Sequence, residues 1–337
     1  MKKNIYPLTF TPVFKDYIWG GRNLESKFGR KLPPGIVAES WEISGHPSSP
    51  TRVDNGSLAK KTLLEVLDLL GLDLVGNHSQ SMLDRGKFPV IIKLLDANSP
   101  LSVQVHPKDD YANKHENGEL GKTEMWYILH SQPGARLIYG LNPGVTPDSF
   151  REHLEAGTLE KCLHYLPVQA GDAIFIPAGS IHAIMDGIVL TEVLQNSDTT
   201  YRVYDWNRVG ADGKPRPLHI DKAMDVINFR QVEPGPYPVE LLEENDHFKR
   251  ECITSCNYFN VEKFTFKQEN NLFKGDCNGS TFEIWGVVSG QGQINWADQP
   301  VDLSAIRFVL LPAALGEFEI KATSPATFLR IYVPTQS

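Results

Sequence analysis

Residues 100–107 read Pro-Leu-Ser-Val-Gln-Val-His-Pro, and this alternation fixes both a conformation and a face. In an extended strand successive side chains point to opposite sides. Ser102, Gln104 and His106 therefore share one face, and Leu101, Val103 and Val105 share the other. The apolar side calls for a hydrophobic layer beneath it. The polar side is either wetted, as on an edge strand, or lines a site. Comparable runs recur at residues 122–129, where Lys122 and Glu124 fall on one face, and at 189–195, where Glu192 lies opposite Thr191, Val193 and Gln195. More follow at 258–264, 282–292 and 327–333. Short alternating strands separated by Gly- and Pro-rich turns predict a mainly β chain built of sandwiches or barrels.

Residues 171–182, Gly-Asp-Ala-Ile-Phe-Ile-Pro-Ala-Gly-Ser-Ile-His, have the form G-x5-P-x-G-x2-H. This resembles the second metal motif of the cupins, which are double-sheet β-barrels. The Gly-Asp turn feeds an apolar strand, Pro177 and Gly179 shape the next turn, and His182 enters a strand that can face a barrel interior. Gln104, His106, Glu124 and His182 together offer two oxygens and two imidazole nitrogens. Without a thiolate, such a set suits zinc best, with iron and manganese also open.

The chain has 337 residues, of which 41% are hydrophobic, enough for two domains of roughly 100–200 residues each. Its formal charge of -8 comes without a basic block, which argues against nucleic-acid or anionic-membrane partners. An anionic ligand would need cations placed locally. Arg202, in the polar and aromatic stretch 196–208, is one candidate fork. Lys93, a cation inside the apolar run 88–97, is another, unless it snorkels from a strand edge. No window approaches ~18 consecutive apolar residues, and residues 1–10 lack the uninterrupted apolar core of a signal peptide. Cys162, Cys252, Cys256 and Cys277 show no C-x-x-C pairing. A cytoplasmic protein with reduced, structural cysteines is the expectation.

Between residues 57 and 85 the period becomes helical: Leu63, Leu64, Val66, Leu67, Leu69 and Leu70 recur, Thr62 and Glu65 form a capping box and Gly71 is a stop. Helices are also expected over about 147–163, with Thr146 as cap and Pro147 at the first helical position, and over about 218–229. Residues 231–238 hold three prolines and a glycine, the clearest boundary. The expected organisation is two cupin or jelly-roll-like β-barrel domains. The first, 1–235, binds metal and carries helical insertions, including one at about 57–85; the second, 239–337, is cupin-like and without a metal site.

Five stretches together are more specific than any one alone: Asp-Tyr-Ile-Trp-Gly-Gly at 16–21, Ser-Val-Gln-Val-His-Pro at 102–107, Lys-Thr-Glu-Met at 122–125, Pro-Ala-Gly-Ser-Ile-His-Ala at 177–183 and Gln-Asn-Ser-Asp-Thr-Thr-Tyr-Arg at 195–202. Over essentially its whole length the chain resembles type I mannose-6-phosphate isomerases of the short bacterial kind. The resemblance implies zinc ligands at Gln104, His106, Glu124 and His182, one divalent ion per chain, an active-site arginine at Arg202, and phosphate contacts at Ser102 and Lys93, with Arg202 a further one. It implies interconversion of mannose 6-phosphate and fructose 6-phosphate by proton transfer through an enediol, with Lys122 and Glu192 the candidate bases. A small phosphosugar as the partner, and a monomer or weak homo-oligomer, complete the expectation. Two features depart from the family pattern: the segment 57–85 is shorter than the helical domain of larger members, and Thr123 stands where many relatives have proline. A cupin iron dioxygenase and a non-catalytic sugar-phosphate binder are the alternatives; the extra Gln ligand and the expected phosphate cations argue against the dioxygenase.

Overall fold

The computed structural model describes residues 5–210, 213–297 and 299–335; residues 1–4 of the N-terminal stretch lie outside it. The chain is mainly β and divides into two compact units, Met1–Val13 with Ser40–Lys93 and Tyr237–Ser337, and Phe14–Glu39 with Leu94–Pro236. Among the described residues no sheet closes on itself, so each unit is an open double-sheet sandwich.

In the second unit one sheet runs in the order Tyr201–Tyr204, Val103–Val105, His182–Ile184, Arg136–Leu141, Leu163–Pro167. The other contains Ala173–Ile176, Glu124–Ser131 and Ile188–Gln195 as successive neighbours. The period-two reading of residues 100–107 holds over the strand Val103–Val105, whereas Leu101 precedes the strand and packs in the other core cluster, with Trp126 and Ile128. Val103 and Val105 are fully buried and pack with Phe150, Leu159, Tyr201 and Ala223 in one cluster, on the face covered by the helices Pro147–Glu155 and Ile220–Val226. The first of these helices starts with the expected Thr146 cap, whose hydroxyl accepts from the Ser149 amide. Trp126, Ile128, Leu137, Ile174, Ile176 and Leu190 build the layer between the two sheets.

In the first unit a six-stranded sheet runs Glu240–Glu244, Phe248–Ser255, Asn260–Phe266, Ala326–Tyr332, Glu283–Ser289, Phe308–Leu311, and a four-stranded one runs Leu272–Cys277, Gly316–Ala322, Gly292–Trp296, Gln299–Leu303. Phe248, Phe264, Phe266, Trp285, Phe318 and Phe328 fill the space between them.

The chain passes from one unit to the other between Pro236 and Tyr237. The helical segment, however, belongs with the C-terminal sandwich and is not an insertion in the metal-binding unit. Its helix Leu63–Leu70 has the expected Thr62–Glu65 capping box and stops at Gly71. The chain that follows is stitched by main-chain bonds to distant loops: Asn77 N–H to the Gly279 carbonyl, His78 N–H to Ser280 and Ala313 N–H to Leu74. Leu8 and Leu310 likewise exchange both backbone hydrogen bonds. Such bonds leave no periodic trace in sequence, which is why hydrophobic patterning assigns the helix but not its unit.

Candidate active site

Gln104 lies at the middle of the site because its strand is central. It is register partner to His182 on one side and to Arg202 on the other, so three functional side chains stand abreast on one face. Glu124 opens a strand of the other sheet of the same unit, paired with Ile176 and Leu194. His106 follows its strand directly, where its carbonyl accepts from the Gly179 amide, 2.8 Å away. Gly179 is in the left-handed region at φ +93, and a Cβ there would press on the Val226 carbonyl oxygen at 3.0 Å. Glycine is what lets the Pro-Ala-Gly turn close against His106.

His106, Glu124 and His182 are each about 1% exposed, and their potential ligand atoms lie within 4.8 Å of one another. His106 Nδ1 bonds the Thr199 carbonyl at 2.9 Å and His182 Nδ1 bonds the Ser180 carbonyl at 3.0 Å. A carbonyl can only accept, so both rings carry the proton on Nδ1 and present Nε2 lone pairs to the centre. Burial pushes the His182 pKa down to about 4, Lys122 adds to the fall and the Ser180 bond opposes it. The ring is therefore neutral near pH 7.

The spacings fit a tetrahedral ion. His106 Nε2 stands 3.6 Å and His182 Nε2 3.4 Å from the two carboxylate oxygens of Glu124, and the Gln104 amide stands 3.3 Å from His182 Nε2. Four atoms bound at about 2.0–2.1 Å around zinc are separated from one another by about 3.3 Å. The Gln104 carbonyl oxygen accepts from the Ser102 hydroxyl at 3.3 Å; a half-turn of the amide exchanges oxygen and nitrogen, giving a cation its fourth donor.

Around this set the other predicted residues fall as follows. Lys122 precedes the strand, 5% exposed, with Nζ 3.5 Å from Glu124. Glu192 is buried and accepts from Trp126 Nε1 at 3.0 Å, and the Trp126 ring stands edge-on to His182 at 5.4 Å. Arg202 Nε donates to Ser102 Oγ at 3.3 Å and Nη1 to the Pro217 carbonyl at 2.9 Å. Burial, then the nearby charges of Arg216 and Arg208, lower its pKa. The Thr123 N–H donates to Gln195 Oε1 at 2.8 Å, a bond that a proline in this position could not make. Lys93 is the last residue of the first unit. It does not snorkel; it is 3% exposed, with its ammonium 4.2 Å above the Trp41 ring. His115 is exposed and stacked on Tyr111.

The model of the phosphomannose isomerase type I catalytic domain matches residues 8–131. Over 94% of the chain, the sequence is 42% identical to mannose-6-phosphate isomerase of Streptococcus mutans, of which 98% is covered. It is 37% identical to mannose-6-phosphate isomerase ManA of Bacillus subtilis, covering 96% of that protein. The chain belongs to the type I phosphomannose isomerases. The crystal structure of mannose 6-phosphate isomerase from Bacillus subtilis superposes with a TM-score of 0.86 at 33% identity, over 96% of this chain and 99% of that one. As a phosphomannose isomerase of this cupin frame the chain is an aldose-ketose isomerase of a metal-dependent family, and His106, Glu124 and His182 form its candidate metal centre. No helix among the described residues is long and apolar enough to cross a membrane.

Sequence reasoning missed Trp126, which holds Glu192, and the Asp205, Trp206, Arg208 and Arg216 group described below. Trp126 was visible as the residue two after Glu124, on the same strand face.

Proposed function

We propose that mannose 6-phosphate and fructose 6-phosphate are interconverted over Gln104, His106, Glu124 and His182, holding one divalent ion per chain, zinc by the nature of the donors. The observation that carries this reading is that the buried His106, Glu124 and His182 hold potential ligand atoms within 4.8 Å of one another, with the Gln104 amide 3.3 Å from His182 Nε2. When bound, the ion supplies Lewis acidity that favours negative charge on the sugar's oxygens. The chain's residues do the rest. Arg202 and Ser102 take the phosphoryl group, since a chain of charge -8 must hold an anion through charge-assisted hydrogen bonds from local groups. The base takes the C2 proton, and the C2–H electron pair forms the C1–C2 double bond while the C1 carbonyl π pair moves to O1, which takes up a proton to give the enediol. O2–H then loses its proton, its electron pair forms the C2 carbonyl, and the C1–C2 π pair takes a proton at C1. Glu192 and Lys122 are the titratable pair assigned to that transfer. Trp126 orients the Glu192 carboxylate, and a carboxylate so held is a proton acceptor for the C2 proton. Lys122 performs the same step only in its neutral form. The reading includes a cytoplasmic monomer or weak homo-oligomer.

An assay coupling fructose 6-phosphate formation to a dehydrogenase, run alongside metal analysis, tests it. Turnover should vanish on chelation and return with added zinc, while far-ultraviolet circular dichroism stays largely unchanged, because the sheets' apolar cores do not depend on the ligands. Full turnover by metal-free protein would overturn the assignment. Oxygen uptake would favour the dioxygenase, and binding without turnover the sensor.

A further inference from the structure

Beyond Arg202 the strand register slips between Arg202 and Tyr204, and the chain reverses at once. Trp206 and Asn207 both adopt positive φ, 57 and 54, and the Arg208 amide closes the turn on the Asp205 carbonyl at 3.0 Å. Two successive left-handed residues make a type I′ turn, which normally selects Asn, Asp or Gly. A tryptophan at the first of these positions is strained and persists only where surrounding contacts over-determine it.

Those contacts lead to the phosphate end of the site. The Trp206 indole N–H donates to the Leu101 carbonyl at 2.7 Å, and Arg208 Nη1 donates to the Pro100 carbonyl at 2.6 Å. Both carbonyls belong to the two residues before Ser102. Asp205 receives Arg208 Nη2 at 2.6 Å together with Arg216 Nε at 2.8 Å and Nη2 at 2.6 Å. Arg216 immediately precedes Pro217, whose carbonyl holds the Arg202 guanidinium. The Arg202 amide and carbonyl are also tied to His219, at 3.2 and 2.8 Å. Each anchor of the Arg202 fork, Ser102 on one side and Pro217 on the other, is thus adjacent in sequence to a residue bonded to the turn that Asp205 begins. Burial raises the Asp205 pKa, but the bonds and charges of Arg216 and Arg208 outweigh it and hold the carboxyl below its usual range. The carboxylate that does this is 6% exposed.

We propose that Asp205 is a positioning residue for phosphate recognition: by clasping Arg208 and Arg216 it sets the spacing of Ser102 and the Arg202 guanidinium, and so selects a phosphorylated sugar. The chemistry also explains the count of charges. Two arginines, Arg208 and Arg216, share one carboxylate beside Arg202, so the four groups keep net positive charge for a dianionic phosphoryl group while the repulsion among the cations is contained. The proposal rests on Arg202 and Ser102 being the phosphate site.

The test compares Asp205→Asn, Arg216→Lys and Arg202→Lys in the zinc-loaded full chain. The readouts are KM and kcat for mannose 6-phosphate, competitive inhibition by inorganic phosphate, inhibition by unphosphorylated mannose, and zinc content. Asp205→Asn should raise KM and the phosphate inhibition constant together by about tenfold or more, leaving kcat within about threefold and mannose inhibition and zinc unchanged. Arg216→Lys keeps the charge and loses the fork, so it should move the same two constants by a smaller factor; being at the rim, 31% exposed, it reads out the clasp even where the Asp205 variant fails to fold. If Arg202→Lys shifts the phosphate constants and both clasp variants leave them unmoved, the positioning role is overturned and the phosphate site stands. If Arg202→Lys also leaves them unmoved, the phosphate site itself is overturned and the clasp with it. Equal losses for phosphate and mannose, with zinc lost, would mark Asp205 as merely structural.

Discussion

Each unit buries carboxylates between two sheets, and the two units neutralise them differently. In the first unit Glu262 and Glu283 are 1% and 2% exposed. Glu262 accepts from Arg250 Nε and Nη2 at 2.9 and 2.8 Å, from Arg330 Nη1 at 3.2 Å and from the Tyr332 hydroxyl at 2.9 Å. Glu283 is ion-paired with Arg330 and accepts from Trp285 at 2.7 Å. In the second unit Glu124 is equally buried, and its neighbours at 3.4 and 3.6 Å are the Nε2 atoms of His182 and His106. Lys122 is the cation beside it, at 3.5 Å. A buried carboxylate is tolerated when paired and hydrogen-bonded. Arginine forks close the first group from within, whereas Glu124 faces two lone pairs that a cation can join.

The sharpest way to break this contrast is to remove one ligand at a time. His182→Ala should abolish turnover and lower zinc affinity by more than the roughly 10–100-fold that loss of an outer partner costs. Gln104→Ala should cost less, because a neutral amide oxygen is the weaker ligand. Zinc titration with a competing chelator ranks the two; the reverse order would take Gln104's secondary place away. Neither substitution touches the arginine-closed group, so denaturation of the first unit should be unaltered.

The complementary change is Glu262→Gln. It leaves Arg250 and Arg330 buried with one carboxylate fewer, and breaking such a pair costs roughly 3–5 kcal/mol. Zinc content should not move. The pH dependence sharpens this. Burial raises the Glu262 pKa, but Arg250 and Arg330 outweigh it and hold it below the ordinary 4.5. The folded carboxyl therefore binds its proton less tightly than the unfolded one. Its stabilisation is complete above about 4.5 and is lost as pH falls through the lowered folded value. Urea denaturation between pH 6 and 3 should show this acid loss in the parent chain and a shallower one in Glu262→Gln; parallel curves would mean that the arginines do not set the carboxyl's pKa.

What was legible in sequence follows the range of the interactions involved. Alternation placed Gln104 and His106 on one face and Thr62 announced its helix, because both signals are local. The G-x5-P-x-G-x2-H run located His182 for the same reason. The clasp was not legible: Pro100 and Leu101 lie more than a hundred residues before Arg208 and Trp206, and hydrogen bonds to their carbonyls do not depend on residue type. Unit membership of residues 63–84 escaped for the same cause, being set by main-chain bonds to Gly279, Ser280 and Ala313. Lys93 was ambiguous because a lysine within an apolar run can either reach water or stay buried, and only packing against Trp41 decides.

Lys93 also gives the smallest expected effect. Its Nζ stands 4.2 Å from the Trp41 ring centre, and a cation–π contact of this kind is worth about 0.5–2 kcal/mol. Methionine fills nearly the same volume and volume-conserving changes are tolerated best, so Lys93→Met should fold. If the ammonium serves the phosphate, as the family resemblance implies, KM for mannose 6-phosphate should rise several-fold while inhibition by unphosphorylated mannose stays constant. If its work is confined to Trp41, both sugars should be affected alike and only the denaturation midpoint should move. The ratio of the two sugars' constants decides, since loss of a general packing contact cannot distinguish a phosphorylated sugar from a plain one. A ratio unchanged from the parent chain would remove Lys93 from the phosphate site and leave Ser102 and Arg202 as its only assigned groups.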